Sequence, residues 1–494
     1  MVRWMLAALL SLTACGLAAA APALDKLDET ALQAAKVDLS PAGLRSLLTQ
    51  MTTQAVDDAY NQKLLSIARL AGARAMTEPA EAILACYLRL RDPIVQLAVA
   101  RAIAPLEAAN ALPQPQTLLN NTSPAGVVLA TQILIHRYAK AAPSDRPALT
   151  AQLAQLGQTQ AGWLGFQAAE GLKQLGDARY VELARRGLSQ QDRLLRWAYL
   201  RLLEPADRPE WAKVFAQDLA SAAGPARSAM TVETPIATPT SQPTSSGPDG
   251  LALTILATGE ILDLNADGSV VAKQEASAGT TLAQRLTKGD WLMVMPTKFW
   301  MQNQAGEILW QCEAGAGPQN DVIAVGDGTW MVADGGSFAA ALAPRNSALY
   351  VYYPANRRVL WRLPTAVPLS VRPGPVGTLI LSHGPAGLAW VNGATGKPIR
   401  QVKLDGACLA SETLPSGDVL AGSGTKIVRV NPAGAVTWSA DLAGQVTSLI
   451  ISDELNYLAT VTGQGLVQID ATNLDKPAIK VIHPVKDSPA QARR

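Results

Sequence analysis

Asp263, Asn265 and Asp267, followed by Gly268, place oxygen ligands at alternate positions with the spacing of a calcium-binding loop. Alternate oxygens wrap the ion there, and the glycine permits the sharp turn. The twelfth position of such a loop, which usually holds a closing bidentate carboxylate, is Gln274, with Glu275 one step late. Asp, Asn and Gly are also the residues of an ordinary hairpin turn, so calcium and a plain turn compete at this segment. The chain has three histidines, His136, His383 and His483, and four cysteines, Cys15, Cys86, Cys312 and Cys408, with no C-x-x-C pair. Ser382-His383-Gly384-Pro385 puts His383 on a turn, where an exposed, ordinary imidazole is expected. Single buried thiols are the expected state of Cys86, Cys312 and Cys408, with a Cys312–Cys408 disulfide between different modules as the lesser alternative. No Ser-His-Asp constellation, phosphate loop or H-E-x-x-H pair occurs, so no catalytic residue, cofactor-binding residue or resident cofactor is assigned.

What must position these residues is a repeat. Leu286 to Trp310 returns 128 residues later as Leu414 to Trp438, with 10 identities in 25 columns. The matched residues include Leu286, Gly289, Asn303, Gly306 and Trp310, which recur as Leu414, Gly417, Asn431, Gly434 and Trp438. Asp263 to Gly268 aligns with the Asn303 to Gly306 and Asn431 to Gly434 segments, and this favours the turn over the metal. Internal copies of this kind indicate an array of similar modules.

Composition bounds the rest. The chain has 494 residues, 48% hydrophobic and 17% charged, with 42 Lys plus Arg against 40 Asp plus Glu. That is enough for two to four domains with cores. The balanced charge leaves no electrostatic footprint for nucleic acid.

The N-terminus reads as an export signal over residues 1–23. Arg3 supplies positive charge, Trp4 to Leu12 is apolar, and small residues come next. The apolar run is too short for a spanning helix. Leu12-Thr13-Ala14-Cys15 resembles a lipobox, which makes Cys15 a lipidation site and a membrane tether. Ala21-Pro22-Ala23 is the competing ordinary cleavage site. Either route gives an extracytoplasmic protein: periplasmic, an outer-membrane lipoprotein, or secreted.

Residues 24–221 carry apolar residues at helical spacing, as in Leu164, Ala168, Leu172 and Leu175. Gly176-Asp177, Pro93, Pro124, Pro205 and Pro209 mark helix ends. Ala161 to Asp177 followed by Tyr180 to Leu188 is the clearest two-helix unit. Weaker relatives run from Asp92 to Ala104, Ser123 to Ala139 and Gln191 to Leu203. These units resemble degenerate HEAT-type repeats, which implies a helical solenoid. Arg185, Arg186, Arg193 and Arg196 cluster near the last unit as a candidate docking face for an acidic partner or anionic lipid. Interleaved Asp192, Glu204 and Asp207 allow the plainer reading of a solvated helix face. A Pro/Ser/Thr-rich linker, 222–248, then separates the helical half from the C-terminal half.

From 249 to 485 the pattern changes to short strands, with 486–494 left as a tail. Modules end at Ala272, Trp310, Trp361, Arg400, Trp438 and near Ile479, which gives about six four-stranded units of roughly 40 residues. The first unit lacks an opening strand, and Ala478 to His483 is the expected strand that closes the ring. Leu414-Pro-Ser-Gly-Asp-Val-Leu-Ala with Val430 to Trp438, and Ala389 to Lys397, resemble the repeats of quinoprotein-like propellers. Asn392 departs from that docking motif by replacing its acid, and Arg400 by replacing its Trp. The fold class is therefore multidomain, α then β: a HEAT-like solenoid followed by a PQQ-like β-propeller of about six blades.

Enzymes of the quinoprotein-like group imply a longer ring, a calcium and often an adjacent Cys pair, and the last of these is absent here. The expectation is an exported, non-catalytic protein-binding scaffold or envelope assembly factor, with other envelope proteins as partners. The alternative is a quinoprotein-like enzyme or small-ligand-binding propeller.

Overall fold

The computed structural model describes residues 25–120, 123–190, 195, 198–199, 202–203, 230–231, 251–257, 260–265, 269–275, 280, 282–285, 291–295, 298–303, 305–314, 319–326, 329–334, 348–353, 358–364, 370–384, 386–392, 397–484 and 491–493. The export segment, Cys15 and most of the linker lie outside them. Two compact units divide the chain, with the main boundary between Arg208 and Pro209.

The first unit is helical. After a helical stretch at 25–34 come α1 (Pro41–Met51), α2 (Asp58–Ala73), α3 (Ala80–Tyr87), α4 (Pro93–Ile103), α5 (Pro115–Asn120), α6 (Pro124–Lys140), α7 (Arg146–Thr159), α8 (Gly162–Gln174) and α9 (Arg179–Gly187). Helix starts arise from capping chemistry. Ser40 Oγ accepts from Gly43 N at 3.0 Å, Asp57 Oδ1 from Tyr60 N at 2.8 Å, and Asp92 Oδ1 from Ile94 N at 2.9 Å. Pro93 and Pro124, expected to stop helices, instead open α4 and α6. Proline has no N–H to lose at the first helical position, and its fixed φ suits a helix start. Gly176 does end α8, with φ +71°.

α2, α4, α6 and α8 pack in succession, while α1 with α3 and α7 with α9 form contacts on alternate helices. Small residues permit the close approach. A Cβ added at Gly72 in α2 would fall 1.9 Å from the Ala102 carbonyl oxygen in α4. Ala168 and Ala169 of α8 are fully buried, as the sequence pattern requires.

Among the described residues, the chain after 250 forms six antiparallel sheets, most of them within the second unit. By residue span, sheet 1 covers 251–275, sheet 2 282–314, sheet 3 319–364, sheet 4 370–402, sheet 5 411–441 and sheet 6 446–483. Within each span the strands lie in sequence order, each hydrogen-bonded to the next, the arrangement of propeller blades. All six residues that marked module ends fall in the last strand of a sheet: Ala272, Trp310, Trp361, Arg400, Trp438 and Ile479.

The turn chemistry also repeats. Asn303 Oδ1 accepts from Ala305 N at 3.0 Å and Glu307 N at 2.9 Å, and Asn431 Oδ1 accepts from Ala433 N at 3.0 Å and Ala435 N at 2.9 Å. Gly306 and Gly434 follow with φ of +84° and +88°, a region that favours glycine.

Two expectations need correction. Ala478–His483 pairs with Gly465–Asp470 as the fourth strand of sheet 6, so it does not close the array. Gln491–Arg493, expected as part of the tail, pairs with Leu251–Ala257 and supplies the missing strand of sheet 1. Its short polar sequence carries no period-two signal, so only pairing identifies it. The linker likewise contains a strand. Met230–Thr231 joins sheet 2 antiparallel to Ile308–Ala314, with Met230 opposite Ala314 and Thr231 opposite Glu313.

Candidate functional site

A cleft of about 590 Å³ opens in the helical unit, lined by Glu107, the end of α6 and the start of α7. α6 is buried continuously from Ala125 to Leu134, and its last turns emerge with His136, Arg137 and Lys140. Basic residues suit that end, where the helix carbonyls leave partial negative charge. Arg137 ion-pairs with Glu107 and also donates to Gln114 Oε1 at 2.6 Å. Ser144 Oγ donates to Asp145 Oδ1 at 3.1 Å across the cleft wall.

His136 is the group in this cleft whose state is shifted. Burial pushes its pKa below the usual imidazole value, Lys140 adds to that, and Glu107 opposes it. Its Nε2 is screened from solvent and has no protein hydrogen-bond partner. An unpartnered buried ring nitrogen favours the neutral imidazole, which agrees with the lowered pKa. No sequence motif pointed here, because Glu107 and His136 are brought together only by helix packing. Among the described residues no group of three or more His, Cys, Asp or Glu converges as a metal site.

His383 differs from its sequence expectation. The imidazole is half-buried, its Nε2 is out of contact with solvent, and burial lowers its pKa to about 4. Gly384 and Cys408 exchange two backbone hydrogen bonds of 2.9 Å, which hold this turn against the segment leading into sheet 5. Ser382 Oγ donates to Ser411 Oγ at 2.9 Å, and both side chains are buried. Cys408 is a buried free thiol whose pKa burial raises to about 12, with a Ser382 hydrogen bond opposing. Such a thiol is inert as a nucleophile at neutral pH. Nearby, Arg372 and Glu412, on the first strands of sheets 4 and 5, form an ion pair at 2.5 Å.

The residues singled out from the sequence are only partly brought together. Arg185 and Arg186 are exposed in the last turn of α9, and Arg186 Nη1 donates to the Gln158 carbonyl at 2.8 Å, tying α9 to α7. Arg193 and Arg196 lie outside the described residues. Asp263 and Asn265 lie on the strand Glu260–Asn265, opposite Thr254 and Leu251, in a hairpin with Val270–Glu275. Asp267 lies outside the described residues, as does Cys15.

The sequence matches no protein-family model and no curated protein. Solved structures resemble it at low identity. A protein of unknown function from Bacteroides caccae is 18% identical, with a TM-score of 0.39 over 48% of this chain and 94% of that one. The WD40 β-propeller domain of Doa1 is 13% identical, with a TM-score of 0.35 over 46% and 76%. The dihydro-heme d1 dehydrogenase NirN is 16% identical, with a TM-score of 0.34 over 59% and 65%. The propeller character of the second unit rests on its strand pairing.

Proposed function

We propose that this chain is an exported, non-catalytic protein-binding scaffold or assembly factor of the cell envelope. In this reading the helical unit is a HEAT-type solenoid, and the six sheets are the blades of a closed, quinoprotein-like ring. Support for closure comes from Gln491–Arg493, which pairs within sheet 1 and packs against the first strands of sheets 2 and 6. A ring whose first sheet combines Leu251–Ala257 with Gln491–Arg493 has no open blade at the seam.

The observation that carries the binding role is where exposed apolar side chains lie. Val270, Ile308, Ile399, Val436, Ile479 and Val481 are all 39–50% exposed, and all sit on the last strand of their sheets. They occupy five of the six sheets, and the side chains of the last strand of sheet 3 lie outside the described residues. Covering the remaining surface of each such residue is worth about 1 kcal/mol. A perimeter carrying several of them suits contact with another macromolecule.

The alternative, a quinoprotein-like enzyme or small-ligand binder, draws on Arg372 and Glu412 at what would be the central channel. Their charges compensate each other, so the pair offers a ligand little net field.

Affinity purification of the tagged full-length chain from its native envelope fraction tests the scaffold reading. A stoichiometric protein partner supports it. A chain that repeatedly emerges alone, while turning over a quinone-linked substrate, overturns it.

A further inference from the structure

Among the described residues, sheet 6 carries two of the exposed apolar side chains of the perimeter. Its last strand, Ala478–His483, exposes Ile479 at 41% and Val481 at 39%. These two lie opposite Ile469 and Val467, which are fully buried. Residues paired across a ladder share a face of the sheet. The apolar stripe therefore runs out of the core along one face and stops, uncovered, at the edge strand. Among the described residues no strand pairs with the outer edge of Ala478–His483. Such an edge presents a row of backbone donors and acceptors to any extended chain that can reach it.

The fold itself shows one of these edges accepting a strand. In sheet 2 the corresponding last strand, Ile308–Ala314, is extended by Met230–Thr231, a segment of this chain from a distant position. The edge of sheet 6 has the same place in its sheet and exposes Ile479 and Val481 along it.

Building on the scaffold reading, we infer that Ala478–His483 is a β-addition site for an extended segment of a partner protein. The segment has apolar residues at alternate positions and an acidic residue between them. The apolar residues cover Ile479 and Val481 and continue the stripe from Val467 and Ile469. The acid answers Lys480, which is exposed on the opposite face between them. Lys480 also argues against a second copy of the same strand. An antiparallel pair centred there would set lysine against lysine, which is unfavourable.

The test uses the full-length chain and a short synthetic peptide in which valine alternates with threonine around one central glutamate. The readouts are peptide affinity and amide hydrogen exchange over 478–483. Slowed exchange confined to that strand is expected. The double variant I479K/V481K should weaken binding by about tenfold or more while leaving the melting temperature unchanged, since both positions are exposed. Lys480→Glu should shift preference to a peptide with a central lysine. No protection in the wild-type chain, or unaltered affinity in the double variant, overturns the inference. Self-association that the double variant abolishes also overturns it, by making a second copy the occupant.

The same variants separate this inference from the scaffold reading. A native partner held equally by wild type and I479K/V481K keeps the scaffold and removes the edge site. Peptide protection without any native partner keeps the edge site and removes the scaffold.

Discussion

Arg429 and Glu454 form an ion pair in which the arginine side chain is 0% exposed and the glutamate 1%. Arg429 lies on the third strand of sheet 5, and Glu454 on the turn between the first two strands of sheet 6. Tyr457 Oη donates to the Glu454 carbonyl at 2.6 Å, and Arg429 Nη1 donates to the same carbonyl at 3.4 Å. The contact thus joins neighbouring sheets by a buried pair whose two charges compensate each other.

Breaking that pair one side at a time leaves a buried charge without its partner. Arg429→Met should destabilise the second unit by about 3–5 kcal/mol, and Glu454→Gln by somewhat less. Arg429→Met with Glu454→Leu should recover much of the loss, since neither charge then remains. Urea unfolding followed by tryptophan fluorescence would check this. Equal losses for the single and double variants would mean that packing, not charge, dominates at the site.

His383 gives the second unit a defined response to acid. Its pKa is about 4 in the fold against an ordinary value of 6.5, so the fold disfavours the protonated form. Between those values the unfolded chain binds more protons, and stability rises with pH. The contribution is fully present above about 6.5 and is lost as pH falls towards 4. His383→Gln should flatten the dependence of melting temperature on pH across that window. An unchanged slope would show that other groups set it.

The repeated asparagine turns should behave alike. Asn303→Ala and Asn431→Ala each remove an oxygen that accepts two backbone hydrogen bonds. A loss of about 1–2 kcal/mol is expected for each. Gly306→Ala meets no neighbour within 4 Å but must hold φ near +84°, which costs about 1 kcal/mol from backbone strain alone. Denaturation midpoints of the three variants would show whether the turns are equivalent.

Much of the fold is legible in the chain because its signals are local. The copy of Leu286 to Trp310 at Leu414 to Trp438 locates a last strand, and the same spacing finds the others. Helix periodicity identifies α8 and α9 within one to three residues at each end. What escapes are features made by contact between distant residues. Gln491–Arg493 has no strand signature of its own and gains its identity from Leu251–Ala257. Pro93 and Pro124 punctuate helices in either direction; the Asp92 cap marks Pro93 as a start, while Ser123 makes no capping bond and only the backbone shows that Pro124 opens α6. The site is less legible than the fold. His383 has a turn sequence, yet packing half-buries it. Glu107 and His136 share a cleft although no motif links them, and nothing in the sequence joins Arg429 to Glu454.

The most direct test of the scaffold reading is the native mass of the full-length protein isolated from its own envelope fraction. The expected mass is that of the chain plus a second protein at fixed stoichiometry. A chain carrying only a small fixed mass, lost on chelation and regained with calcium and a quinone, would contradict the scaffold and return the propeller channel to candidacy as an active site.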